Sequence, residues 1–168
     1  FIKKYKSKFG IAVGSGTDAL LISLLALNIK KGDEIITSAN TAIPTVSAII
    51  NSGANPRLVD IGDDYLIDYK KIEKSINKKT KAIIVVHLYG QSCNMEKIIK
   101  IANKYKLKII EDAAQSICSS HKGKKSGYLI LPIIVPANKD FTEYVETTDF
   151  SYISKIITAL SLQDRRIV

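Results

Sequence analysis

Lys108-Ile109-Ile110-Glu111-Asp112-Ala113-Ala114-Gln115-Ser116 is the stretch whose reading decides the fold of this chain. A short apolar run ends in two carboxylates and passes at once into small residues and a side-chain amide. Buried acids are costly unless something positive faces them. A strand that carries one to the carboxyl edge of a sheet, where α/β proteins bind ligands, points to a cationic ring nitrogen as its partner. Taken alone, the stretch also reads as an exposed strand end with solvated acids. The rest of the chain has to decide between the two.

Working outward, short β-rich runs alternate with helical stretches, which predicts an α/β fold: a three-layer αβα sandwich around a largely parallel sheet. Just upstream, residues 94–106 form the clearest helix. Met95, Ile98, Ile99, Ala102 and Tyr105 recur at helical spacing, with Asn94 as the cap. Before it, Lys81-Ala82-Ile83-Ile84-Val85-Val86 is a β-branched run of the central-strand kind. Asp68 is placed to cap a short helix bearing Tyr69, Ile72 and Ile76 on one face. Residues 57–60 and 34–37 read as strands, and residues 44–51 as a helix stopped by Ser52-Gly53. Ile11-Ala12-Val13 is expected as a short strand feeding Gly14-Ser15-Gly16-Thr17-Asp18 and an apolar helix to Leu27. Residues 1–8 look like the end of a basic amphipathic helix. Beyond Gly127 the character changes: residues 128–135 are apolar but broken by Pro132, and residues 136–149 are polar and acidic.

A length of 168 residues and 46% apolar content allow one sizeable core. No apolar run reaches the roughly 18 residues of a membrane span. No signal-peptide pattern opens the chain, so a cytoplasmic location is the default expectation. The formal charge of +9 comes from 25 basic residues, all lysine except Arg57, Arg165 and Arg166. The lysines are scattered over helix faces and loops rather than gathered with aromatics on one element, which argues against nucleic-acid binding. Cys93 and Cys118 have neither metal-site nor CxxC spacing; two reduced thiols and no metal are expected.

Two further segments could carry chemistry. Gly14-Ser15-Gly16-Thr17-Asp18 lies between a strand and a helix, offering backbone N–H groups, a hydroxyl and a positive helix end to an anion such as phosphate. It lacks the Gly-Lys-Ser/Thr of a Walker loop and the third glycine of GxGxxG, so a nicotinamide-binding fold is set aside. A Ser cap on a core helix explains the same residues without a ligand. Val86-His87-Leu88-Tyr89-Gly90-Gln91 again follows a strand. A lone histidine there reads more readily as a hydrogen-bonded structural residue than as a catalytic one, and Tyr89-Gly90 as a turn.

In order along the chain come Gly14-Ser-Gly-Thr-Asp-Ala-Leu20, Gly32-Asp-Glu-Ile-Ile-Thr37, Gly53-Ala-Asn-Pro56 before Val59-Asp60, Thr80-Lys-Ala-Ile83, Val86-His-Leu-Tyr-Gly-Gln91 and Glu111-Asp-Ala-Ala-Gln115. This succession closely resembles the DegT/DnrJ/StrS family of pyridoxal-phosphate-dependent sugar aminotransferases, over roughly residues 5–127. The resemblance implies the large domain of a fold type I enzyme. Residues 1–127 would be its cofactor-binding core, and residues 128–168 a divergent continuation that an insertion would explain. The chain is expected to be a partial member without the C-terminal small domain. The implied substrates are a nucleotide-linked keto sugar and an amino donor such as glutamate, in polysaccharide or surface-glycan biosynthesis. A homodimer is implied for the complete protein.

By the same resemblance, Asp112 pairs with the pyridinium nitrogen, which makes the ring an electron sink. Gln115 bonds the cofactor's phenolic oxygen, Gly16 and Thr17 hold its phosphate, and His87 and Tyr89 lie in the motif bordering the pocket. Where the family often has an aromatic stacked on the ring, this chain has Ala42. Asp149-Phe150-Ser151-Tyr152-Ile153-Ser154-Lys155 is similar to the family's lysine motif, displaced downstream and followed by Thr158 where glycine is usual. Lys155 would be the Schiff-base lysine and proton shuttle, with Ser151 or Ser154 on the phosphate; the other reading is a lysine in a divergent tail. Two alternatives of function stay open. One is an inactive remnant of the fold. The other is a related sugar dehydratase, which often has histidine in place of the lysine; His121 falls elsewhere.

Overall fold

The chain divides into two compact units, one of Gly14–Pro132 and one of Phe1–Val13 with Ile133–Val168. The structure, a computed structural model, describes residues 10–116, 120–121 and 124–125. The fold below is therefore that of the first unit. Its elements run α1 (Gly16–Ala26), β1 (Glu34–Ser38), α2 (Ile43–Asn51), β2 (Asn55–Val59), α3 (Tyr69–Ser75), β3 (Thr80–Val86), α4 (Met95–Tyr105), β4 (Lys108–Asp112), and the short strands β5 (Ser120–His121) and β6 (Lys124–Lys125).

β1 to β4 form one sheet in the order β2-β1-β3-β4, every pair parallel, while β5 and β6 pair antiparallel. The α/β expectation holds. The register between β1 and β3 slips once, from Glu34 opposite Thr80 to Ile35 opposite Ala82. The extra residue, Lys81, points to solvent. Ala82, Ile83, Ile84 and Val85 are fully buried on both faces of β3, as a near-continuous apolar run requires in a covered parallel sheet.

Crossovers between parallel strands are right-handed, so direction of travel fixes the face. From β1 the chain steps one way to β2 through α2, then back across β1 through α3 to β3, and onward through α4 to β4. That places α2 on one face and α3 with α4 on the other, giving three layers. α1 packs against α2, and α3 against α4. The strand order reverses between β1 and β3, which opens a crevice at their carboxyl ends.

Local chemistry explains the element ends. Ser15 caps α1 by accepting from the Asp18 N–H at 3.1 Å, and its hydroxyl donates to the Asp18 carboxylate at 2.7 Å. Asp68 caps α3 through the Lys70 N–H, and Asn94 caps α4 through the Lys97 N–H, both as expected. After α2 the chain turns at Gly53, whose φ of +85° is cheap only without a Cβ.

Several expectations are corrected. Ile11–Val13 is not a strand: three apolar residues make one only where a neighbouring edge takes their hydrogen bonds, and among the described residues none does. β2 is Asn55–Val59 rather than residues 57–60, because parallel pairing with β1 begins at Asn55 opposite Glu34. On α4, Ile99 and Tyr105 are 43% and 39% exposed, so the buried stripe narrows to Met95, Ile98 and Ala102. The face of α4 that meets β4 is narrower than the apolar arc in its sequence.

Candidate functional site

α1 has 11 residues and spans about 16 Å. A five-residue strand such as β1 covers a similar length, about 16 Å. α1 packs on α2 and β4 and leads through the turn at Lys30–Asp33 into the amino end of β1, so its N-terminus lies toward the carboxyl edge of the sheet. There Gly16 and Thr17 open the helix, where backbone N–H groups have no partner within the helix. A Cβ on Gly16 would meet nothing within 4 Å, so the helix start is not packed over at that position. α2 also starts at this edge but offers less to an anion. Pro44 lacks an N–H, and the Thr45 N–H already bonds to the Ala42 carbonyl. The two helix ends are thus unequal, and α1 has more free backbone donors to offer an anion.

Asp112 is the last residue of β4, half-buried. Its Oδ1 accepts from the Ala114 N–H at 3.1 Å, and its Oδ2 faces the Thr45 hydroxyl at 3.5 Å. Among the described residues no cationic side chain forms an ion pair with Asp112. Oδ2 therefore keeps capacity for a donor from outside this set, such as a protonated ring nitrogen.

Gln115, three residues on, is exposed, and its Oε1 accepts from the Tyr89 N–H at 3.3 Å. That bond fixes the amide: the oxygen faces Tyr89, so the NH2 group is presented as donor elsewhere. Tyr89 itself has φ +57° and is followed by Gly90 at +75°, two successive left-handed residues that turn the chain at the crevice and leave the tyrosine 63% exposed.

His87 goes elsewhere. It is 1% exposed, its Nε2 lies 3.2 Å from Glu111 Oε2, and its Nδ1 accepts from the Cys93 N–H at 3.2 Å. An acceptor Nδ1 puts the ring hydrogen on Nε2, which donates to Glu111. The imidazole is thus enclosed on the α4 side, whereas Asp112 faces Thr45 on the α2 side. The His87 backbone serves the site instead: its N–H donates to the Asp112 carbonyl at 2.9 Å, and its carbonyl accepts from the buried Ser116 hydroxyl at 3.3 Å. Cys93 beside it is buried, which pushes its thiol up to about 12, so it is inert at neutral pH.

The structure thus brings Asp112, Gln115 and Tyr89 to one edge and sets the His87 side chain apart from Asp112. Ala42, exposed as the N-cap of α2, makes no side-chain capping bond. Lys155, Ser151 and Ser154 lie outside the described residues, as do Cys118 and the helix expected over residues 1–8. Sequence reading missed Thr45 as a neighbour of Asp112 and Glu111 as a partner of His87. A threonine in the first turn of the helix, one turn before the buried Ala48 and Ile49, was the available signal for the first. Strand alternation was the signal for the second, since adjacent acids on a strand face opposite ways.

Residues 1–130 match the profile of the DegT/DnrJ/EryC1/StrS aminotransferase family. The chain belongs to this family. Its members depend on pyridoxal phosphate, and solved relatives hold that cofactor or its amine form. A dTDP-3-amino-3,6-dideoxy-α-D-galactopyranose transaminase of Aneurinibacillus thermoaerophilus is 48% identical over 134 residues, 77% of this chain and 37% of that protein. NtdA of Bacillus subtilis, solved with bound cofactor PMP, is 47% identical with a TM-score of 0.68, covering 69% of this chain and 27% of that one. The Escherichia coli GDP-4-keto-6-deoxy-D-mannose-3-dehydratase with bound hydrated PLP is 31% identical with a TM-score of 0.70, covering 76% and 34%. The chain spans about a third of the length of the curated relatives it matches.

The residues present fit the family's cofactor. A helix start with free N–H donors and an unpacked Gly16 suits a phosphate, and the spare acceptor on Asp112 suits a ring N–H. The Gln115 NH2 suits a phenolate. Among the described residues no group of three or more His, Cys, Asp or Glu could hold a metal, and no helix is long and apolar enough to cross a membrane.

Proposed function

We propose that this chain is the cofactor-binding portion of an enzyme that transfers an amino group to a nucleotide-linked keto sugar. The observation that carries the reading is Asp112: a carboxylate at the carboxyl end of β4, one strand out from the reversal of strand order, with one oxygen held and the other open to a cation. Pyridoxal phosphate, when bound, supplies an electron sink for the charge left as the amino donor loses its α-proton. The parts proposed for this chain are the following. The Gly16 and Thr17 N–H groups hold phosphate, Asp112 keeps the ring nitrogen protonated, and the Gln115 NH2 bonds the phenolic oxygen. Tyr89 borders the substrate, and the His87–Glu111 pair braces β3 against β4 beneath it. Lys155 is the lysine that bonds the cofactor and moves the proton between carbons, with Ser151 on the phosphate.

Names of relatives support a keto-sugar substrate carried on a nucleotide, and the name of another gives glutamate as the amino donor; surface-glycan synthesis by a cytoplasmic homodimer is part of the same proposal. Borohydride reduction of the full-length protein with pyridoxal phosphate, followed by peptide mapping, tests the assignment. A pyridoxyl group on Lys155 is expected; a label on another lysine overturns that role. Asp112→Asn should weaken coenzyme binding about tenfold or more, and unchanged binding overturns the reading as a whole.

The similarity to a solved dehydratase supports a second reading, loss of a sugar hydroxyl on the same cofactor. Incubation with a GDP-4-keto-6-deoxy sugar and glutamate separates the two. An amino-sugar product supports transfer, and a dideoxy product supports dehydration.

A further inference from the structure

Thr45 is fully buried in the first turn of α2, in a helix whose other buried residues, Ala48 and Ile49, are apolar. Its hydroxyl touches two oxygens: Thr41 Oγ1 at 2.9 Å and Asp112 Oδ2 at 3.5 Å. A carboxylate only accepts, so Thr45 must donate its single proton to Asp112. Its acceptor side is then turned to Thr41, which donates. The direction of this two-step relay is fixed by its last member.

We infer that Thr45, oriented by Thr41, is the positioning residue for Asp112. It aims Oδ2 at the ring nitrogen of the bound pyridoxal compound. Three features make the case. Thr45 is the one side chain among the described residues that bonds to Asp112. The other carboxylate oxygen is tied to the Ala114 N–H, so a second anchor fixes both the plane and the tilt of the group. Thr45 also stands on a regular helix held by the core, whereas Asp112 is the last residue of its strand; a side chain fixed on a packed helix can set the aim of the carboxylate. At 3.5 Å the contact is long, which leaves Oδ2 free to take the ring N–H as its principal partner.

This inference rests on the pairing of Asp112 with a ring nitrogen, and the test separates the two. The full-length protein is titrated with pyridoxamine phosphate and with the analogue whose ring nitrogen is replaced by C–H. The wild type should hold the nitrogen compound more tightly. Thr45→Val should lower that affinity about three- to tenfold and leave the analogue unaffected. Thr45→Ser, which keeps the hydroxyl, should restore it. Equal losses for both ligands would mean a packing role, and no loss would mean no role; either overturns the inference while the Asp112 pairing stands. A wild type indifferent to the ring nitrogen refutes the pairing itself and this inference with it. If Thr45→Val does not fold, Thr41→Val decides the question by the same two titrations, with a smaller selective loss expected.

Discussion

Glu111 and Asp112 are neighbours in sequence, yet the pleat sends one to His87 on the α4 side and the other to Thr45 on the α2 side. Identical chemistry acquires different uses: Glu111 closes a buried pair with a neutral imidazole, and Asp112 keeps an oxygen for a ligand. Gly16 shows the same division between structure and function. It opens α1 with nothing near its missing Cβ, so Gly16→Ala should fit and stabilise the free protein, by roughly 0.5–1 kcal/mol from helix propensity. The methyl group would stand in the space proposed for phosphate. The same variant should therefore melt higher in isolation and bind pyridoxamine phosphate more weakly. Calorimetry and fluorescence titration read the two effects, and unchanged affinity would remove the phosphate from this helix end.

Among the elements, α3 and α4 are tied at the surface by Glu73, which accepts from Lys104 at 2.7 Å and from the Tyr105 hydroxyl at 3.1 Å. The Lys104 hydrogen bond, then that of Tyr105, holds the Glu73 carboxyl below its usual range, and Glu73 holds the Lys104 ammonium above its own. A lowered carboxyl adds stability above its unfolded value and loses it as pH falls through the folded one. A raised ammonium adds stability below its unfolded value and loses it as pH rises through the folded one. The contribution of the pair is thus a plateau between about pH 5 and pH 10. Both groups are solvent-exposed, so the effect is small and screened by salt. Thermal melts should show Glu73→Gln below the wild type at neutral pH, with the gap closing near pH 2 and in molar salt. A gap independent of pH would assign the effect to packing.

For the molecule as a whole, the proposed site draws on α1, α2, the loop after β3 and the end of β4, elements far apart in the chain. A ligand that binds across them should stabilise the folded state by mass action, by about 2.7 kcal/mol at a hundred times its dissociation constant. Saturating pyridoxamine phosphate should raise the melting midpoint, Asp112→Asn should abolish most of that rise, and a midpoint indifferent to the ligand would disconnect the site from the cofactor. Much of this architecture was legible beforehand, because period and capping are local properties. The β-branched run of β3, the Asn94 and Asp68 caps and the Gly53 stop each follow from a few adjacent residues. The order of motifs from Gly14 to Gln115 carried the family. Ile11–Val13 misled because a strand is a relation between two segments, and Ile99 because burial depends on how wide a face the partner covers. The sequence by itself determined the alternation of strands and helices and the kinds of side chain delivered to the sheet's carboxyl edge. Only the tertiary structure decided that His87 turns to Glu111, that Thr45 meets Asp112, and which helix end stays open to an anion. Those contacts join residues 24 and 67 positions apart, and such pairings are set by strand order and crossover hand, which no local pattern encodes.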